Sequence, residues 1–190
     1  MVLLLYVLAY AETVGDKVLV FSQSLKTLNY VERILAHEDW MLHVPSLKEK
    51  FPDKRLGGMK RDVDYVRIDG DTKSGDRGDL VDKFNDSTEQ SARVFLISSK
   101  AGGIGINLVS IRYSFLSTLL TQAALTHASL QPTANRVVLL DTHFNPTVDM
   151  QCIFRVYRYG QEKEVFVYRF LTEGTMEEKI YARSVVRCEL

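Results

Sequence analysis

The chain has little that would mark it as a metal, redox or membrane protein. Its 190 residues include only two cysteines, Cys152 and Cys188. They form neither a metal-ligand spacing nor a disulfide framework, which fits a reducing compartment. Charge of one sign is also lacking, since 24 basic side chains balance 24 acidic ones. Zero net charge gives no broad cationic field, so any contact with nucleic acid has to come from local loops. The apolar opening, Met1 to Ala11, lacks the basic front of a signal peptide and is too short to span a bilayer. It reads as a buried helix whose beginning has been cut away. Two phosphate motifs are missing as well, the loop G-x-x-x-x-G-K-[ST] and the dinucleotide fingerprint G-x-G-x-x-G. Their absence argues against a self-contained P-loop hydrolase and against a dinucleotide-dependent metabolic enzyme.

What is present describes a soluble globular domain, 46 % hydrophobic and 25 % charged, of a length that fits one unit from 1 to 190. Apolar runs of strand length occur at 17–22, 64–69, 93–97, 136–141 and 164–171. Helical patterns stand between them. Ser24 is placed to cap a helix running to about Ala36, with Leu25, Leu28, Val31, Ile34 and Leu35 along one stripe. Ser74 opens another helix, with Leu80, Val81 and Phe84 as its apolar face. Thr175-Met-Glu-Glu178 has the form of a capping box before the last helix. Residues 37–63, with Trp40, two prolines and paired glycines, read as a long surface excursion. Alternation of strand and helix predicts an α/β fold, a mostly parallel sheet with helices on both faces. In such folds the working loops leave the carboxyl ends of the strands. These are 22–24, 69–73, 98–105 and 141–146.

Two stretches carry chemistry. From Asp149 to Gln161 the spacing predicts a helix on which Gln151, Arg155 and Arg158 share a face, ended at Gly160 by a left-handed cap. Paired guanidiniums suit the charge that spreads over a phosphoryl group during transfer. The plainer alternative is an exposed helix side whose arginines pair with Asp149 or Glu162. The second stretch, Ser99-Lys-Ala-Gly-Gly-Ile-Gly105, can turn backbone amides toward an anion. Its plainer alternative is a strand-to-helix turn that needs glycine for steric reasons.

Five segments occur in the order seen in superfamily 2 helicases. They are Val18-Leu-Val-Phe-Ser-Gln-Ser24, Tyr65-Val-Arg-Ile-Asp-Gly70, Ser98 to Leu108, Val137 to Asp141 with Asn145-Pro146, and Gln151 to Gln161. Together they resemble the second RecA-like lobe, the helicase C-terminal lobe, of a Swi/Snf-type chromatin remodeller. Phe154-Arg-Val-Tyr-Arg-Tyr-Gly-Gln161, Val167-Tyr-Arg-Phe170 and Gly174 to Tyr181 point to the ATRX-like branch. The resemblance covers most of residues 9 to 183. It implies that Arg155 and Arg158 are arginine fingers for the ATP γ-phosphate, with Gln151, Gly103, Gly105 and Asn107 on the nucleotide side. It further implies that Ser22, Gln23, Gly70, Ser99, Lys100, Phe144 and Asn145 lie along the DNA backbone, where contacts carry affinity without base sequence. ATP with Mg2+ would then be held mainly by a first lobe that supplies the phosphate-binding loop. No metal ligand is assigned to this chain, and alone it should not hydrolyse ATP. The implied partners are double-stranded DNA, nucleosomes or histones, and the N-terminal RecA-like lobe, in the nucleus and with no membrane. Other classes stay open: a non-catalytic DNA or chromatin binding module, or an inactive fragment of an incomplete gene.

The departures from the family are specific. Phe144 stands where relatives commonly have Trp, which keeps an aromatic wedge but loses the indole donor. His143 beside it reads as a solvated loop residue. Ser110 and Ala134 should be adjacent. Between them lies an atypical insertion, 111–133, in which Arg112 is the only formal charge. Such an apolar stretch exposes surface unless it packs somewhere, and its expected origin is unspliced or mispredicted coding sequence rather than a surface helix or partner site. Residues 184–190 form a divergent tail.

Overall fold

The computed structural model describes residues 1–37, 50, 58–85, 92–102, 134–157 and 161–188. β1 (Lys17–Ser22) is buried along its whole length, as a continuous apolar run flanked on both faces requires. It is the middle of a five-stranded sheet, with β2 (Tyr65–Ile68), β3 (Val94–Ser98), β4 (Ala134–Leu139) and β5 (Phe166–Arg169) in the order β2-β3-β1-β4-β5. Every pairing is parallel. The mostly parallel α/β fold expected from the sequence is therefore observed.

Helices cover both faces. Side chains alternate along a strand, so Val18 and Val20 of β1 point one way and Leu19 and Phe21 the other. The first face packs on α1 (Val2–Thr13), through Leu4, Leu5 and Leu8, and on α2 (Leu25–Ala36), through Leu28, Val31 and Leu35. The second packs on α3 (Ser74–Asn85), through Val81 and Phe84, and on α5 (Pro146–Ile153), through Cys152. A four-residue helix, α4 (Ser99–Gly102), follows β3, and α6 (Met176–Cys188) follows β5.

Several features differ from the sequence reading, among them β5, expected over 164–171 and observed at Phe166–Arg169. α1 is buried along one side only, since Leu3 and Tyr10 are 65 % and 49 % exposed. β4 begins at Ala134, two residues earlier than its apolar pattern suggests, because the strand accommodates Asn135 and Arg136, both buried and polar. Arg136 remains inside because its Nε donates to the Asp16 carboxylate at 2.8 Å. The helix bearing the arginine pattern is displaced more strongly. It starts at Pro146, with the Asn145 carboxamide oxygen accepting from the Thr147 amide at 3.1 Å, and it stops at Ile153. Phe154 caps it in right-handed conformation, and the i to i+3 bonds of Arg155 and Val156 tighten the chain into a turn. That turn drops Val156 into the second core, fully buried. The regular helix thus ends seven residues before Gly160, so a left-handed cap at that glycine is not what ends it.

Of the surface excursion, 38–49 and 51–57 lie outside the described residues. Its end is anchored by the Met59 amide, which donates to the Leu35 carbonyl at 2.9 Å. The insertion 111–133 also lies outside them. α6 runs on through Ser184, which is buried and back-bonds to the Ile180 carbonyl at 2.9 Å.

Candidate functional site

Because all five strands run the same way, their carboxyl ends share one edge, and the register keeps them level. Ser22 lies opposite Ser98, Phe21 opposite both Ile97 and Leu139, and Ile68 opposite Ile97. The loops at 22–24, 69–73, 98–100 and 141–146 therefore leave from one rim, and α5 begins there too.

At the centre of the rim, Asp141 ties two loops together. Its carboxylate accepts from the Ser22 hydroxyl at 2.5 Å and from the Gln23 amide at 3.0 and 3.1 Å. The Gln23 side-chain amide donates to the Thr142 carbonyl at 3.0 Å. Ser22 Oγ in turn accepts from the Ser24 amide. Sequence reading placed Ser22 and Gln23 here but assigned no role to Asp141. The available signal was an acid immediately after an apolar strand at a carboxyl end.

The next loop is held from beneath. Arg67, buried on β2, donates through Nε to Asp69 at 2.9 Å and also reaches Asn29 and Glu32 of α2. Burial pushes the Asp69 carboxyl up. The Arg67 charge and hydrogen bonds from Asp71 and Thr72 overcome that and hold it below the usual carboxylate value. Gly70 projects from this turn with no atom within 4 Å of where a Cβ would stand. The chain itself thus leaves room for a methyl group, and only an approaching ligand would need the space.

Ser99 and Lys100 open α4. Ser99 is buried and its hydroxyl has no hydrogen-bond partner, while Lys100 is exposed. Thr142, on the far side of β1, is a second buried hydroxyl without a partner, and sequence reading missed it. Gly103, Gly105 and Asn107 lie outside the described residues. Phe144 is 63 % exposed. Asn145 is exposed and caps α5. His143 is not simply solvated: its Nδ1 accepts from the Asn145 amide at 2.9 Å and its own amide donates to Asp149 at 3.4 Å.

Along α5, Gln151 is exposed and Arg155 sits half-buried in the turn beyond the helix, so the two do not share a regular helical face. Arg158 lies outside the described residues. Asp149 is buried against Arg169, 3.9 Å away, and burial outweighs that charge to raise its pKa. Burial pushes the Cys152 thiol up to about 12, which leaves it a core residue without nucleophilic character. Among the described residues, no three His, Cys, Asp or Glu side chains gather as a metal site. Nor is any described helix long and apolar enough to cross a membrane.

A parallel sheet clad on both faces, with its polar loops collected at one carboxyl rim, defines a RecA-like α/β lobe. The chain belongs to the family of helicase conserved C-terminal domains, whose sequence profile matches residues 2–160. It is 43 % identical over 195 residues to the human transcriptional regulator ATRX, an alignment that covers all of this chain and 7 % of that protein. With the Arabidopsis thaliana protein CHROMATIN REMODELING 20 it shares 41 % over 187 residues, covering 98 % of this chain and 10 % of the relative. Both place it with the Swi/Snf-type lobes of the ATRX-like branch, and it spans only a small part of either relative's length. The crystal structure of the C-terminal part of the Fun30 ATPase domain superposes with a TM-score of 0.59 at 29 % identity, over 92 % of this chain and 41 % of that one.

Proposed function

We propose that the chain is the second lobe of a DNA-dependent ATPase that works on chromatin in the nucleus. Its rim would close over ATP held by a first RecA-like lobe. The supporting observation is convergence: four strand ends and the start of α5 meet on one edge. In this reading Gly70, Ser99, Lys100, Phe144 and Asn145 lie along a duplex backbone, with Ser22 and Gln23 in the loop behind them. Gln151, Arg155 and Arg158, with Gly103, Gly105 and Asn107, face the nucleotide. Guanidiniums are permanently charged, so in this reading they would stabilise charge on the transferring phosphoryl group without any proton movement. ATP supplies that group. Mg2+ would be held with it, mainly by the first lobe, which in this reading carries the phosphate-binding loop. Double-stranded DNA and nucleosomes are the proposed partners, and phosphate contacts with little base reading suit a motor that moves along any sequence.

The test is steady-state ATP hydrolysis. The chain alone should show no turnover, with or without duplex. Joined to its first lobe it should turn over ATP in a DNA-stimulated way, and Arg158→Ala should lower that rate by about three to five orders of magnitude. Duplex affinity should persist in that variant. Turnover that survived the substitution would remove Arg158 from the fingers.

A further inference from the structure

We propose that Asp141 is a positioning residue that couples the DNA side of the rim to its nucleotide side; the inference rests on the function proposed above. Four hydrogen bonds join the loop after β1 to the segment after β4, across 118 or 119 residues of sequence. Three of them end on the Asp141 carboxylate. Among the described residues no cation pairs with that carboxylate, and the Ser22 hydroxyl and Gln23 amide dipoles are what hold it there. The bonds also engage the Ser22 hydroxyl and the Gln23 amide. With those donors turned inward, the two residues serve the site by fixing the neighbouring segment.

That segment is short and carries both functions. Phe144, 63 % exposed, and Asn145 lie three and four residues beyond Asp141. Asn145 then caps α5. α5 is eight residues long, about 12 Å at the usual rise. It carries Gln151 and delivers the chain to Arg155. A duplex pressing on Phe144 and Asn145 therefore acts on α5 only as rigidly as its first turn is tied to the sheet. Asp149 holds that turn to Arg169 of β5 and to the His143 amide, and Asp141 ties the segment leading into it to the end of the central strand. With the tie cut, the tip moves independently of the helix and DNA no longer sets the arginines.

The experiment uses the two-lobe enzyme with Asp141→Ala, which removes the acceptor, and Asp141→Asn, which keeps one carbonyl oxygen for the Gln23 amide and an amide that can donate to Ser22. The rate without DNA, the rate at saturating duplex and the thermal midpoint are measured for each. For Asp141→Ala the stimulated rate should fall about tenfold, within the usual range of site coupling, while the DNA-free rate stays near wild type and the midpoint falls only slightly, as the buried Ser22 hydroxyl loses its acceptor. Asp141→Asn should recover most of the stimulation. Wild-type stimulation in Asp141→Ala would overturn the coupling, as would a parallel fall of both rates with the midpoint, which marks a purely structural role. A wild-type enzyme with DNA-independent turnover would instead overturn the function on which the inference rests.

Discussion

Arg136 keeps a full charge at 3 % exposure because three elements satisfy it at once. Its Nε donates to Asp16, an Nη donates to the Tyr168 hydroxyl at 2.5 Å, and its plane lies over the rings of Tyr10 and Phe166 at 5.0 and 4.4 Å. Lys163 adds a second cation to Asp16 at 3.2 Å. Such a network is costly to break from one side, because the remaining buried charge is left with the half-exposed Lys163 as its cation. Arg136→Met should cost about 3–5 kcal/mol in urea unfolding, and a milder loss in Asp16→Asn/Arg136→Met than in the single variant would confirm the remaining charge as the cause. The acid side of this network sets a pH dependence. Burial raises the Asp16 carboxyl, but hydrogen bonds from Asn135, Arg136 and Lys163 prevail and lower it below 3.8, and Asp69 is lowered likewise. Both contribute stability that is present above 3.8 and is lost as pH falls through the lower folded values. Asp149 has the opposite sign, since its raised carboxyl makes the charged form a cost at neutral pH. Asp149→Asn should therefore raise the urea midpoint at neutral pH, and that gain should vanish once pH is below 3.8, where both folded and unfolded carboxyls carry a proton.

The elements were legible in proportion to how local their causes are. β1 and β3 stand out because burial on both faces demands unbroken apolar runs. The start of α2 was legible because its cap is local: Ser24 Oγ accepts from the Thr27 amide at 3.3 Å. Ser24→Ala should cost about 1 kcal/mol and lower the thermal midpoint, leaving the sheet core untouched. The last helix shows a capping box displaced by one residue. Thr175 accepts from Glu177 and the Glu178 carboxylate accepts from the Gly174 amide instead of from Thr175. The end of α5 was not legible, because a tertiary contact, the burial of Val156, ends it where spacing alone would continue the helix. The same division holds at the site. The rim loops could be read from the strand pattern, and Gly70, Lys100 and Phe144 prove accessible there. The link from Asp141 to Ser22 could not, since it joins positions 119 residues apart. The partnerless hydroxyl of Thr142 is likewise a fact of packing that no local pattern encodes.

On the scale of the whole molecule, the sheet separates two apolar cores and gathers the working loops at one end, while the charge ledger sums to zero. In the proposed arrangement, affinity for a duplex would then come from a few cations at the rim rather than from the overall field. Counterion release makes this measurable, because the logarithm of the binding constant falls against the logarithm of salt with a slope of about 0.9 per phosphate neutralised. A lobe using a handful of rim cations should show a shallow slope, roughly 2 to 4 in magnitude. Lys100, exposed at the carboxyl end of β3, is one of those cations in the proposed arrangement. Lys163 offers the control: it precedes β5, at the opposite end of the sheet, and is half-exposed while paired with Asp16. Lys100→Ala should reduce the slope by about one and weaken binding uniformly across duplex sequences. Lys163→Ala should leave the slope unchanged, its effect appearing in stability through the loss of a partner for Asp16. Equal slopes for both variants and the wild type would place the duplex elsewhere, and a slope lowered equally by both would mean that a diffuse field, not the rim, attracts it.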